Sequence, residues 1–116
     1  MRALILALVL TVAAAPGLAQ MVIGPDDCPK HVGETVTVEG TVSEVHIDPR
    51  SGVTFINMGR RFPNQPCTGV IFKDDASKFP NAESLTGKVV AITGPVQDYK
   101  GRTEIILNDP AQLKVK

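Results

Sequence analysis

Two short stretches bring cations and aromatic rings together: Arg60-Arg61-Phe62 and Tyr99-Lys100-Gly101-Arg102. Cations neutralise phosphates and aromatic faces stack on bases, so this mixture suits single-stranded nucleic acid. Asn57 adds an amide that can hydrogen-bond a sugar or a base, and Lys73 adds a further cation. The candidate nucleic-acid-binding set is therefore Asn57, Arg60, Arg61, Phe62, Lys73, Tyr99, Lys100 and Arg102. Other features weigh against it. Aromatic residues make up only 4% of the chain and Trp is absent, which is thin for a stacking platform. Asp48, Asp74, Asp75 and Asp98 are spread among the same segments and repel phosphate. Phe55 and Phe72 fall in alternating stretches and are expected in the core.

Catalytic chemistry has less support. Hydrolysis needs a nucleophile with a base, or two placed carboxylates. His46, next but one to Asp48, reads as a surface or packing residue. There is no Gly-rich phosphate loop, no HExxH and no CxxC, so no enzyme and no cofactor is expected. Cys28-x-x-His31, beside Asp26 and Asp27, has ligand-like spacing. Zinc wants three or four protein ligands, and only Cys67 is an obvious addition. The simplest reading of Cys28 and Cys67 is one disulfide; two buried free thiols or a metal site are the rivals.

Compartment bears on the cysteines. Arg2 is followed by an uncharged run, Ala3 to Ala15, and then by Pro16-Gly17-Leu18-Ala19. A basic start, a short apolar run and small residues before Gln20 are the pattern of a Sec-type signal peptide. The run is too short to span a bilayer, which takes roughly 20 apolar residues. An anchoring helix is the alternative. Residues 1–19 are thus expected to be removed, leaving 97 of the 116 residues. Loss of Arg2 takes one of 12 basic residues against 12 acidic ones, for a net charge of −1. Such a chain has no global attraction to nucleic acid or anionic membrane; any binding must come from a local patch. The expected location is periplasmic or secreted, where a disulfide persists. The expected mature form is a monomer with no membrane span, whose partner is single-stranded nucleic acid or an envelope protein.

The elements that must position these residues are strands. Val36, Val38, Gly40 and Val42 share one parity; then Val45 and Ile47 take the other. A slip at Ser43-Glu44 predicts a β-bulge in a long, bent first strand. Further strands are predicted at Val53–Met58, Thr68–Lys73, Val89–Tyr99 and Thr103–Leu107, with a short terminal one at Leu113 and Val115. A short helix or turn is expected near Asp75–Phe79, with Phe79 and Leu85 plugging the core. The Gly33–Val42 frame recurs at Gly87–Val96, each with a central glycine, Gly40 or Gly94. Both strands read as bending to serve two halves of a closed sheet. Pro95 lacks an N–H, so a bulge or unpaired point is expected there. Five strands in this order, with a helix or turn between the third and fourth, predict an all-β OB-fold barrel over residues 32–116, with 20–31 as an N-terminal segment. An SH3-like barrel is the runner-up.

The chain also resembles a group of bacterial OB-fold proteins. The resemblance lies in Val36–Gly40, Phe55-Ile56-Asn57-Met58-Gly59, Phe62-Pro63-Asn64-Gln65-Pro66 and Thr68-Gly69-Val70-Ile71-Phe72. Leu85-Thr86-Gly87-Lys88, Gly94, Tyr99-Lys100-Gly101 and Glu104-Ile105-Ile106-Leu107 extend it across Val32 to Leu113. It implies a nucleic-acid-binding-like domain of a largely uncharacterised, often exported group. Similar domains accompany nuclease or helix-hairpin-helix modules. Cys67 stands where the group usually has an aromatic residue, and Cys28 where it has a small one; having both supports the disulfide. In an OB barrel the binding face is the second and third strands with two flanking loops, and its ligands include oligonucleotides, oligosaccharides and proteins.

Overall fold

Strand β2, Thr35–Ile47, organises the protein. Its first half pairs antiparallel with β5, Val89–Tyr99, and its second half with β3, Thr54–Met58. The change comes at the expected bulge, where the register shifts between Val42 and Glu44. Val42 faces inward and is buried, while Glu44 lies opposite Asn57. One extra residue therefore lets a single strand serve two parts of the barrel.

The computed structural model describes residues 21–116. The expected signal peptide, residues 1–19, lies outside them. β3 pairs with β4, Cys67–Ile71, and β4 runs parallel to β6, Arg102–Ile106. β6 pairs with β5, and β5 with β2, so five strands close on themselves. A ring has no unpaired edge. Two short strands sit outside it: β1, Val22–Ile23, parallel to β2, and β7, Leu113–Val115, along β5. Between β4 and β5 the chain forms two 3₁₀ turns, Lys73–Lys78 and Ala82–Leu85. Phe79 and Leu85 enter the core from this connection, as expected.

The interior is aliphatic. Ile56, Met58, Ile71, Ile92, Ile105 and Leu107 are essentially inaccessible to water. Each such side chain stabilises the fold by roughly 1.5–3 kcal/mol relative to exposure. The repeated glycine frame has a structural counterpart: its two copies pair with each other, Val36 opposite Gly94 and Gly40 opposite Val90. Close approach is one reason for both glycines. A Cβ on Gly40 would lie 2.5 Å from Cγ of Pro25, and one on Gly94 would lie 2.8 Å from Cγ2 of Ile105. Pro95 makes the last pairing with β2, and Val96 begins the pairing with β6. The missing N–H thus falls at the seam where β5 changes partners.

The N-terminal segment packs against the barrel, contributing Ile23 and Cys28 to its core. Its 3₁₀ turn, Pro25–His31, is tied to β4 by the Cys28–Cys67 disulfide, and both cysteines are buried. Their Cα atoms are 5.9 Å apart, a normal separation for a bridge. Neither cysteine is free, and His31 pairs instead with Glu34, 3.0 Å from Nδ1 to Oε1. Among the described residues no group of three or more His, Cys, Asp or Glu could hold a metal.

Candidate functional site

Residues opposite each other in a sheet point to the same face, so the strand register dictates what lies beside what. One such row crosses the barrel: Glu44 of β2, Asn57 of β3, Thr68 of β4, Glu104 of β6 and Gln97 of β5. Asn57, Thr68 and Glu104 are three of the four buried polar or charged residues among those described. The neighbouring row places His46 opposite Phe55, whose rings stack at 6.3 Å and 19°. Apart from Gln97, these rows form the floor of a hollow of about 390 Å³, within the usual range for small-ligand sites. Arg61, Phe62 and Gln65 from the β3–β4 loop, with Arg102, complete its lining.

The floor is ordered by directional bonds. The Thr68 hydroxyl donates to Oδ1 of Asn57 at 2.9 Å, and Nδ2 of Asn57 donates to Oε2 of Glu44 at 2.9 Å. The same oxygen accepts the backbone N–H of Phe62 at 2.7 Å, while Oε1 lies 3.3 Å from Arg61. The Phe62 N–H above all, then the Asn57 amide and the charges of Arg61 and His46, hold the Glu44 carboxyl below the usual glutamate range, against an opposing push from burial. Glu104 has the opposite environment. Burial pushes its carboxyl up; the Arg102 charge lowers it and the Asp98 charge raises it further. Its nearest cation, Nε of Arg102, is 3.7 Å away.

The aromatic residues are distributed unexpectedly. The chain has four Phe and one Tyr, and only Phe79 is in the core. Phe55 is half-buried in the hollow, and Phe62, Phe72 and Tyr99 are exposed. The expectation that Phe55 and Phe72 are core residues is corrected: Ile56 and Met58 of β3, and Ile71 before Phe72, fill the interior instead. The run Phe55-Ile56-Asn57-Met58 has apolar residues on both parities, and the pairing with β2 and β4 decides which face inward.

The sequence-derived candidates divide. Asn57, Arg61, Phe62 and Arg102 line the hollow. Tyr99 and Lys100 lie on the hairpin beside it, where the Lys100 ammonium and Arg102 guanidinium stand 5.3 and 5.5 Å from the Tyr99 ring. Lys100 holds φ at +52° and Gly101 at +85°, as a two-residue hairpin of this twist requires. Arg60 is engaged elsewhere, with Nη1 3.0 Å from Asp26 and Nε donating to the Asn64 carbonyl. Lys73 opens the 3₁₀ turn after β4, its stem against Gly52. Glu44, His46, Phe55, Gln65, Thr68 and Glu104 were outside the candidate set. Glu104 had a usable signal, a lone acid alternating with apolar residues in Thr103–Leu107.

A closed five-stranded barrel with this strand order and parallel closure is an OB-fold. No family model matches the sequence, and no curated protein matches it. Solved structures do resemble it. A protein of Leishmania major Friedlin described as an aspartyl-tRNA synthetase aligns with 92% of this chain and 22% of its own, at 12% identity and a TM-score of 0.57. The asparaginyl-tRNA synthetase of Pyrococcus horikoshii aligns over 75% of this chain and 20% of its own, at 22% identity and a TM-score of 0.53. This chain therefore spans about a fifth of the synthetases' length. OBody AM1L10, bound to hen egg-white lysozyme, aligns over 90% of this chain and 98% of its own, at 19% identity and a TM-score of 0.56. At these identities the likeness establishes the fold.

Proposed function

We propose that this chain is a small exported binding module that takes single-stranded nucleic acid on the barrel face carrying the hollow. The placement of the aromatic side chains carries this reading. A small domain gains most from burying rings, each worth roughly 150–250 Å² of contact. Here Phe55 and Phe62 line the hollow and Tyr99 stands on the hairpin beside it. Arg61, Lys100 and Arg102 supply cations at the same place, their side chains exposed or free to leave a weak surface pair. Lys100 adds weight, because it occupies a positive-φ position where Gly, Asn or Asp is the ordinary choice. Export is supported by the signal-like residues 1–19 and by a disulfide that suits an oxidising compartment. Among the described residues no helix is long and apolar enough to cross a membrane.

The test is fluorescence anisotropy of a labelled 12-nucleotide dT oligomer titrated with the mature domain. Binding is expected at low salt. For about three phosphate contacts its logarithmic salt slope should be about −2. Changing Arg61, Lys100 and Arg102 together to Ala should abolish it. No anisotropy change at low salt would overturn the reading. A protein partner is the second reading, favoured by the OBody resemblance, since that similarly sized chain is bound to lysozyme. Pull-down from envelope extract, lost in the same triple variant, would support it.

A further inference from the structure

Acid and base are separated by depth in the hollow. The Glu44 and Glu104 side chains are 18% and 7% exposed; those of Arg61 and Arg102 are 74% and 44% exposed. Glu44 is already engaged by Asn57 and Phe62. Glu104 is not. Among the described residues none donates a hydrogen bond to its carboxylate, although the residue is 94% buried, at 6% exposure. A second acceptor is also unused: Oε1 of Gln65 is buried without a partner and belongs to the same lining. A buried acceptor without a donor is costly unless something else supplies one, and Oε1 of Gln65 is such an atom; the Glu104 oxygens are not fully enclosed and line the hollow, where a ligand can donate to them. The hollow therefore has a free carboxylate in its floor at Glu104, a free amide oxygen on the loop at Gln65, a phenyl ring at Phe55 and another at Phe62, and cations around its rim.

A cationic ligand would meet Arg61 and Arg102 on entry, and a phosphate would be repelled by the floor. A flat, neutral ring with donors on one edge and an anionic tail satisfies both levels. Among nucleobases only guanine presents two adjacent donors, N1–H and the 2-amino group, on its pairing edge. A carboxylate accepts such a pair side by side. Adenine and cytosine offer one amino group beside a lone pair, and uracil and thymine one N–H between two carbonyls; each sets a lone pair against the carboxylate.

We infer that the hollow is a guanine-selective base pocket, in which Glu104 accepts from N1–H and the 2-amino group. The ring packs against Phe55 and Phe62, and the adjoining phosphates lie on Arg61 and Arg102. This rests on the nucleic-acid reading above and assigns its base preference.

The experiment compares three labelled oligomers by anisotropy: dT12, the same strand with one central dG, and the same strand with inosine, which lacks the 2-amino group. The dG strand should bind roughly tenfold tighter than dT12, and inosine should lose most of that gain. Glu104→Gln should bind all three strands equally, at the affinity of the unaltered protein for dT12. Circular dichroism of that variant establishes that it is folded, and Glu104→Asp, which keeps the charge, provides a second reading of the same position. Equal affinity of the unaltered protein for the three strands would overturn the pocket while leaving nucleic-acid binding intact. Absence of binding to every strand would overturn both. Binding of an arginine-rich peptide, lost in Glu104→Gln, with no oligonucleotide binding, would assign the hollow to a protein partner and overturn the inference.

Discussion

The carboxylate of Glu44 accepts the backbone N–H of Phe62 at 2.7 Å, across 18 residues of sequence. A side chain on the barrel wall thereby holds the loop that carries Phe62 and Arg61 over the face. The bulge in β2 makes this possible, because it places Glu44 opposite Asn57 on the outer surface. The loop therefore has a defined position at the hollow.

Glu44→Gln should loosen that loop. The folded protein holds this carboxyl below its ordinary range, so its stabilisation is present above the unfolded value and is lost as pH falls through the folded one. At pH 7 the variant should lose on the order of 1 kcal/mol, after allowance for solvent screening. The difference from the unaltered protein should shrink towards pH 3. Urea unfolding at the two pH values measures it; a pH-independent difference would count against the charged bond.

Glu104→Gln should act in the other direction. Its raised carboxyl means the folded state holds the proton more tightly than the unfolded chain does. Stability should therefore fall as pH rises through the interval from the ordinary glutamate value to the raised one. Removing the charge should raise the melting temperature at pH 7 by a few degrees, on the order of 1 kcal/mol. The gain should vanish near pH 4, with Arg102 and Asp98 unchanged. Thermal melts at both values decide it.

Gly40→Ala should be costly, because its Cβ would lie 2.5 Å from the ring of Pro25, which begins the turn bearing Cys28. A loss of about 2–3 kcal/mol is expected from overpacking. Gly24→Ala is the control, since a Cβ there meets nothing within 4 Å and its φ of −87° suits any residue. Equal effects of the two substitutions in chemical denaturation would refute the packing argument.

Removing the Cys28–Cys67 bridge, with both changed to Ser, should cost up to about 4 kcal/mol by loop-closure entropy for a separation of 39 residues. Intact mass of the unreduced protein should be two hydrogens below that of the reduced form. Two thiols open to alkylation after denaturation without reductant would contradict the bridge.

Lys100→Asn separates stability from binding. Asn tolerates the left-handed conformation at this turn better than Lys, so the variant should gain about 0.5 kcal/mol. It should also lose one cation from the face and lower the salt slope of oligonucleotide binding by about 0.7. A loss of stability would mean that the Lys100 contact with Tyr99 outweighs the backbone term.

Much of the barrel was legible in local pattern. The switch of apolar parity at Ser43-Glu44 marked the bulge, and β5 was delimited as Val89–Tyr99. Phe79 and Leu85 were recognised as core from an irregular segment. Arg61, Phe62 and Arg102 stood out as cation and aromatic neighbours, and Asn57 as an amide beside them. The acids did not. Glu44 and Glu104 are 60 positions apart and become the two carboxylates of one hollow only through Asn57 and Thr68 between them.

The five barrel strands are marked in the sequence, because alternation, turn residues and glycines act over a few positions; β1 and the Pro25–His31 turn carry no such local pattern. The sequence also pointed to the cysteine pair as a bridge. Only the tertiary structure decided which residues meet. Phe55 faces outward and Ile56 inward because β3 is registered against β2 and β4, an outcome that a run apolar on both parities leaves open. Arg60 is drawn to Asp26 for the same kind of reason. Strand register and ring closure are long-range agreements among five segments, and they place the carboxylates beneath the arginines.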